Sequence, residues 1–98
     1  MVVVVNHLHL NKPIESLRES FDKEGLPLLA RQPGFIEVFL VQSDVDHGIV
    51  IIVWEDRASA DNGGKVMGPT WFHDNIAPYL ASEQQRTVNE VVSTLRAK

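Results

Sequence analysis

Residues 35 to 54, FIEVFLVQSDVDHGIVIIVW, hold two runs of apolar and β-branched side chains around a short polar segment. Branched Cβ atoms and aromatic rings fit a pleated surface, so each run is typical of a strand. The polar segment Ser43 to His47 supplies turn formers at the length of a hairpin. The sequence therefore predicts strands over Phe35 to Gln42 and Gly48 to Trp54 that pair antiparallel.

A first strand is predicted upstream, over residues 2 to 10. It begins with four valines, and the polar residues that follow lack helical spacing. Alternation places Asn6 and Leu8 on one face and His7 and His9 on the other. Because both faces are partly apolar, we expect helices to cover one face and a second subunit to cover the other.

Two helical regions are predicted, one after the first strand and one after the third. In the first region, Pro13 suits an opening turn, and Gly25 and Pro27 are expected to bend or interrupt the helix. In the second region, a short helix is expected to be broken at Gly63 and the glycine that follows it. A further helix is expected to start near Pro69. That glycine pair would be a flexible break that lets the mouth of a pocket open.

The C-terminal residues 86 to 94 fit either a helix or a strand by composition. We choose a strand, because without it the sheet would keep three strands and a poorly covered edge. Together the elements predict one α+β domain over residues 1 to 98. Its order is the ferredoxin-like βαββαβ, with an antiparallel four-stranded sheet.

Composition restricts the class of protein. The chain has 98 residues, a net charge of −4 and no cysteine. Scattered lysines and arginines form no basic stripe, so no nucleic-acid partner is expected, and the absence of cysteine excludes disulfides and thiolate chemistry. The apolar start from Met1 to Val5 is too short for a membrane span and lacks the basic leader of a secretion signal. We therefore expect a cytoplasmic protein with no membrane partner.

The order of four features resembles the antibiotic biosynthesis monooxygenase family, over nearly the whole chain. The features are Asn6 in the first strand, Pro33-Gly34-Phe35 opening the second, Val53-Trp54-Glu55-Asp56 ending the third, and the helical Trp71-Phe72-His73. This resemblance implies a dimeric α+β barrel, in which two sheets pack face to face and each subunit has an apolar pocket between sheet and helices. Members include cofactor-free oxygenases of quinols or polycyclic phenols and haem-degrading enzymes.

The resemblance makes Asn6 and His73 the first candidates for catalysis. In the family, an asparagine at this point of the first strand is an active-site residue, and its amide N–H can hold a substrate oxygen or an oxyanion. His73 follows Trp54 at a spacing similar to that of the iron-binding histidine in haem degraders. A neutral imidazole can ligate haem iron or take a proton from a phenol.

Aromatic and aliphatic side chains are expected to shape the pocket. Trp71 is a candidate aromatic wall beside the two catalytic candidates. The further residues expected to line the pocket are Leu8, Phe35, Trp54, Phe72 and Ile76. The tryptophan that haem degraders carry on the preceding helix falls at about Gly63 here, and this departure counts against haem.

The remaining motifs give little information about function. His7 and His9 share a strand face, but a lone His-x-His pair without an accompanying carboxylate predicts a polar patch in a dimer interface, and no metal site is expected. The glycine pair lacks the surroundings of a phosphate loop, and no Gly-x-Ser-x-Gly occurs. The acidic residues of turns and strand ends are interpreted as surface charges: Asp44, Asp46, Glu55 and Asp56.

The leading hypothesis is a cofactor-independent monooxygenase that works as a homodimer. A small aromatic substrate, deprotonated in the apolar pocket, would itself reduce molecular oxygen, with Asn6 binding the oxyanion and His73 assisting proton removal. Two alternatives stay open. One is a haem-binding, haem-degrading enzyme with His73 on the iron, and the other is a non-catalytic dimeric module that binds a small ligand.

Overall fold

A four-stranded antiparallel sheet forms the centre of the molecule in the computed structural model, which describes residues 1–95 and 97. Its strands are β1 Val2–His9, β2 Phe35–Asp44, β3 His47–Trp54 and β4 Gln85–Glu90, in the spatial order β2-β3-β1-β4. The predicted α+β class, the hairpin of β2 with β3 and the ferredoxin-like order are confirmed. The strand predicted at the C-terminus is confirmed up to Glu90, whereas the described residues beyond it form no regular element.

The first helical segment, α1, spans residues 14–30 in four consecutive turns. These are the 3₁₀ turn Ile14–Leu17, the α turn Arg18–Ser20, the π turn Phe21–Gly25 and the α-helical Leu26–Ala30. Of the expected bend or interruption at Gly25 and Pro27, the interruption is wrong, because the helix continues through both residues. In the π turn the Leu26 N–H donates to the Phe21 carbonyl five residues back. We attribute this continuity to the wider turn, which accommodates the proline ring that follows.

The second helical segment, α2, spans residues 57–75 and also continues where breaks were expected. It consists of Arg57–Met67, the π turn Gly68–Phe72 and His73–Asn75, and a 3₁₀ turn Ala77–Tyr79 follows. Gly63 therefore lies inside a helix and is not a flexible break, and no new helix starts at Pro69. At the start of α2 the Asp56 carboxylate accepts a hydrogen bond from the Ser59 N–H at 2.8 Å, which lowers the pKa of Asp56.

The two faces of the sheet have different surroundings. Both helical segments pack on one face, the covered face, where Val4, Leu8 and Trp54 are each at most 3% exposed. The opposite face, the open face, carries half-buried valines and isoleucines together with Phe39, whose exposed fraction is 46%. Within the described part of the chain, no helix combines the length and the apolar composition needed to cross a membrane.

Candidate active site

A cavity of about 470 Å³ lies between the covered face and the two helical segments. Its size is within the range of pockets that hold small organic ligands. The apolar part of its wall comes from both layers and includes Val4, Val50, Ile52 and Trp54 from the sheet and Phe21, Met67, Trp71, Phe72 and Ile76 from the helices. Such a wall favours an apolar, aromatic ligand over a highly charged one.

An amide pair forms the polar end of this cavity. Asn6 Nδ2 donates to Gln84 Oε1 at 2.8 Å, and both residues line the cavity. Asn6 Oδ1 is buried and accepts no hydrogen bond within the described chain. A buried carbonyl oxygen without a donor is costly, of the order of 1–3 kcal/mol. A residue that lines the cavity therefore holds an acceptor without a donor among the described residues.

Trp71 forms a rigidly held wall of the cavity. Its indole N–H donates to Ser20 Oγ at 3.1 Å, so the ring nitrogen is engaged by α1. The ring of Phe21 meets it edge to face, with centroids 5.7 Å apart. A Cβ at Gly25 would lie 3.3 Å from the indole, which shows how closely α1 approaches the ring. Trp71 can therefore contact a ligand through its ring surface but has no free donor to offer.

Trp54 occupies the place where a side chain of α2 would otherwise stand. A Cβ on Gly63 would overlap the Trp54 ring, so the missing side chain of the glycine lets the strand tryptophan lie under the helix. Phe35 then packs edge to face on Trp54 at a centroid distance of 5.8 Å. This chain thus builds an aromatic wall from β3, at the position where the resemblance to haem degraders would require one from the helix.

Charged side chains stand at the mouth of the cavity. Arg86 lies on β4 directly opposite Asn6 on β1, and it lines the cavity together with Lys65 and Asp61. The Arg86 Nη2 atom would be 3.3 Å from a Cβ on Gly64, so the guanidinium reaches across to α2. The strand register therefore brings a cation to the side of the cavity that contains the amide pair.

The structure brings five of the predicted site residues together and separates three from them. The cavity-lining ones are Asn6, Trp54, Trp71, Phe72 and Ile76. Leu8 is buried in the core but does not line the cavity, and Phe35 contacts Trp54 from outside it. The His73 side chain is 72% exposed, and its Nδ1 lies 3.1 Å from Asp74 Oδ1.

Among the cavity residues that sequence reasoning missed, Gln84 and Arg86 are the polar side chains next to Asn6. Gln84 precedes β4 in a polar stretch that resembles an ordinary loop. Alternation along the C-terminal strand was the signal that could have found Arg86, because it places Arg86 and Val88 on one face. The facing residue Asn6 is then reached only through the register of β1 with β4.

Solved structures of known proteins share the fold described above. No protein-family model and no curated protein sequence matches the chain. Solved structures named antibiotic biosynthesis monooxygenases, from Nitrosomonas europaea and Bordetella bronchiseptica among others, do match it. The fold is that of the antibiotic biosynthesis monooxygenases. At 14–15% identity the two named matches support this at the level of architecture.

Within this monooxygenase fold, the matches include two oxygenases and one protein with bound porphyrin. SnoaB from Streptomyces nogalater, a cofactor-independent oxygenase, has a TM-score of 0.78 at 19% identity, covering 98% of this chain and 97% of its own. The monooxygenase ActVA-Orf6 of Streptomyces coelicolor, solved with nanaomycin D, has 0.75 at 14%, covering 98% and 92%. A variant of MhuD with two manganese protoporphyrins per active site has 0.74 at 16%, covering 99% and 100%.

Proposed function

We propose that this chain is a cofactor-independent monooxygenase that oxidises quinols or polycyclic phenols with molecular oxygen. The observation that carries the proposal is the buried Asn6 Oδ1, which has no hydrogen-bond donor among the described residues, on a residue that lines an aromatic-walled cavity. A phenolic or enolic O–H is the kind of donor that this oxygen lacks. The apolar walls formed by Trp54, Trp71 and Phe72 suit the flat ring system that carries such a hydroxyl.

The charges at the cavity support formation of a substrate anion. Arg86 is a permanent cation across the strand pair from Asn6, and a guanidinium stabilises an oxyanion by charge-assisted hydrogen bonds. Exposed residues form the mouth, so water can accept the proton that the substrate loses. Oxidation of an anthrone-like substrate then balances without a cofactor: one oxygen atom replaces two hydrogens as a carbonyl, and the other leaves as water.

The residues at the cavity favour this reaction over haem degradation. A haem held in the cavity needs an iron ligand, and no histidine is among the cavity-lining residues of the described chain. His73, the ligand expected from the sequence, has an exposed side chain beside Asp74. The residues present therefore do not fit a histidine-ligated haem at this position, and the proposal includes no haem.

The open face supports the homodimer that the proposal includes. Its half-buried aliphatic residues lie on the two central strands, with Phe39 and Val41 exposed on the neighbouring β2. A contiguous apolar surface of this kind on a sheet is typical of an interface between subunits. We propose a second copy of the chain as the occupant, and sedimentation equilibrium would then give a molar mass of two chains.

Oxygen uptake with a panel of anthrone-like phenols and quinols tests the proposal. The decisive variant is Asn6→Leu, which keeps the shape of the side chain and removes its hydrogen-bonding groups. We expect kcat/KM to fall about 10-fold, because the variant cannot accept the hydrogen bond of the substrate hydroxyl, which contributes about 1.5 kcal/mol. Circular dichroism of the variant checks that the fold is retained.

His73→Ala is the companion variant. The spacing in the sequence predicts that His73 is needed for activity, whereas its position in the structure predicts that it is not. Since the His73 ring lies outside the cavity, we expect its oxygen uptake to equal that of the wild type. A collapse of activity in His73→Ala, or full activity in Asn6→Leu, would contradict the proposed site. If the wild-type chain consumes no oxygen with any substrate of the panel yet binds them, it is a binding module instead.

A further inference from the structure

A second group of functional side chains lies away from the cavity, at the hairpin end of the open face. It consists of His9, Asp46 and His47, here called the His–Asp cluster. Each residue offers one ligand atom, and these atoms all lie within 4.8 Å of one another. The cluster joins two residues that are far apart in sequence, because His9 ends β1 and His47 begins β3, and the two are directly paired across the strands.

Both imidazoles turn a nitrogen toward the same carboxylate. His47 Nδ1 lies 2.7 Å from Asp46 Oδ1, and His9 Nε2 lies 3.4 Å from Asp46 Oδ2. The two rings are stacked, with centroids 4.1 Å apart and planes within 10° of parallel. Two ring nitrogens and the Asp46 carboxylate therefore lie close together in a small volume that is partly open to solvent.

The position of Asp46 is fixed by the backbone. It lies in the short turn between β2 and β3, whose carbonyls accept two hydrogen bonds from the chain that follows β1. Leu10 N–H donates to the Asp46 carbonyl at 2.8 Å, and Ile14 N–H donates to the Val45 carbonyl at 2.7 Å. The turn is therefore attached to the end of the strand that carries His9. Such support lowers the entropy cost of closing three side chains around an ion.

The donor set matches the chemistry of zinc. Imidazole nitrogen and carboxylate oxygen bind zinc at about 2.0–2.2 Å, and three protein ligands with one water are a common arrangement. The edge of such a tetrahedron is about 3.4 Å, which agrees with the 3.4 Å between His9 and Asp46. The shorter contact from His47 is a hydrogen bond that lengthens when an ion replaces its proton.

We propose that His9, Asp46 and His47 form a binding site for one divalent transition-metal ion of the zinc class. This pairing across strands differs from the His7 and His9 pair along one strand, which carries no carboxylate.

The site is tested by titrating the tag-free, chelator-washed protein with Co²⁺, followed by displacement with Zn²⁺. Zinc has a filled d shell and is silent, whereas tetrahedral cobalt gives visible absorption. We expect the absorption to saturate at one ion per chain and to disappear on addition of zinc. Zinc should also raise the melting temperature, because it binds the folded chain.

Single substitutions assign the ligands. His9→Gln and His47→Gln should each weaken cobalt binding at least about 10-fold, since even the loss of a group that only supports a ligand costs that much. His7→Gln is the matched control, because it changes an imidazole on the same face of the same strand but outside the cluster. The three side chains are exposed or half-buried, so the fold is retained.

Two results would overturn the proposal. One is a wild-type chain that shows no cobalt absorption, in which case the cluster is only a hydrogen-bonded polar group. The other is equal weakening in His7→Gln and His47→Gln, which would mean that the ion binds elsewhere on the open face.

Discussion

The two faces of the sheet are built by alternate residues of the same strands, yet they have different surroundings. On the covered face, Val4 and Val50 are buried under the chain's own helices. On the open face, the adjacent Val5 and Ile51 are half-buried, and the helices of the described residues lie on the other side of the sheet. Both faces are apolar in sequence, so hydrophobicity alone does not distinguish them. The helices create a cavity on one face, and the other face remains available for a second subunit.

The largest effect on stability is expected from a substitution on the covered face. It tests whether the hydrophobic core lies on that face alone. Trp54→Ala removes a ring that is 1% exposed and should lower the free energy of unfolding by about 4 kcal/mol. Val53→Ala changes the preceding residue, whose side chain lies on the open face, and should lower the free energy of unfolding by about 1 kcal/mol or less. Urea denaturation at low protein concentration measures both values. Equal losses would contradict the distinction between the faces.

A smaller effect is expected where α2 crosses the covered face. Gly63→Ala places a methyl group into the Trp54 ring and should lower the free energy of unfolding by about 2 kcal/mol through overpacking. Gly64→Ala is the matched control, because its methyl group would meet only the flexible end of Arg86 at 3.3 Å. That variant should gain about 0.5 kcal/mol from helix propensity. A stabilised Gly63→Ala would mean that Trp54 does not depend on the glycine.

A substitution on the open face should have the smallest effect on the stability of the single chain. The same substitution should have a large effect on assembly. Phe39→Asp changes a side chain that is already 46% exposed, so unfolding of the single chain should be nearly unaffected. If the open face joins two copies, the buried charge should reduce the molar mass in sedimentation equilibrium to that of one chain. Val45→Asp at the hairpin tip is the control and should leave the mass unchanged.

The sheet could be predicted from the sequence because strand signals are local. Branched residues and alternation identified β1, β2 and β3, and the need to cover an edge identified β4. The helix breaks were predicted wrongly for the opposite reason. A Cβ on Gly63 would overlap the Trp54 ring, so this helical position has room only for glycine, and helix propensity does not include such a contact between distant segments.

The site was predictable only in part. Asn6 came from a family resemblance and does line the cavity, whereas Gln84 completes the amide pair from a segment without any local pattern. The expectation for His73 came from its spacing after Trp54, which does not determine the face of the helix on which it lies. The π turn Gly68–Phe72 adds a residue before it, which rotates the following side chains by about 100° relative to an uninterrupted α-helix.

β1 carries the amide of Asn6 on one face and the imidazole of His9 on the other, three positions further along. In evolutionary terms the two faces can change independently by substitution, since each side chain contacts a different environment. They cannot change independently in length. Inserting or deleting one residue before Asn6 would exchange the faces, bringing the histidines under the helices and the amide to the open face. Natural variants of this chain should therefore tolerate many replacements in β1 but no insertions or deletions.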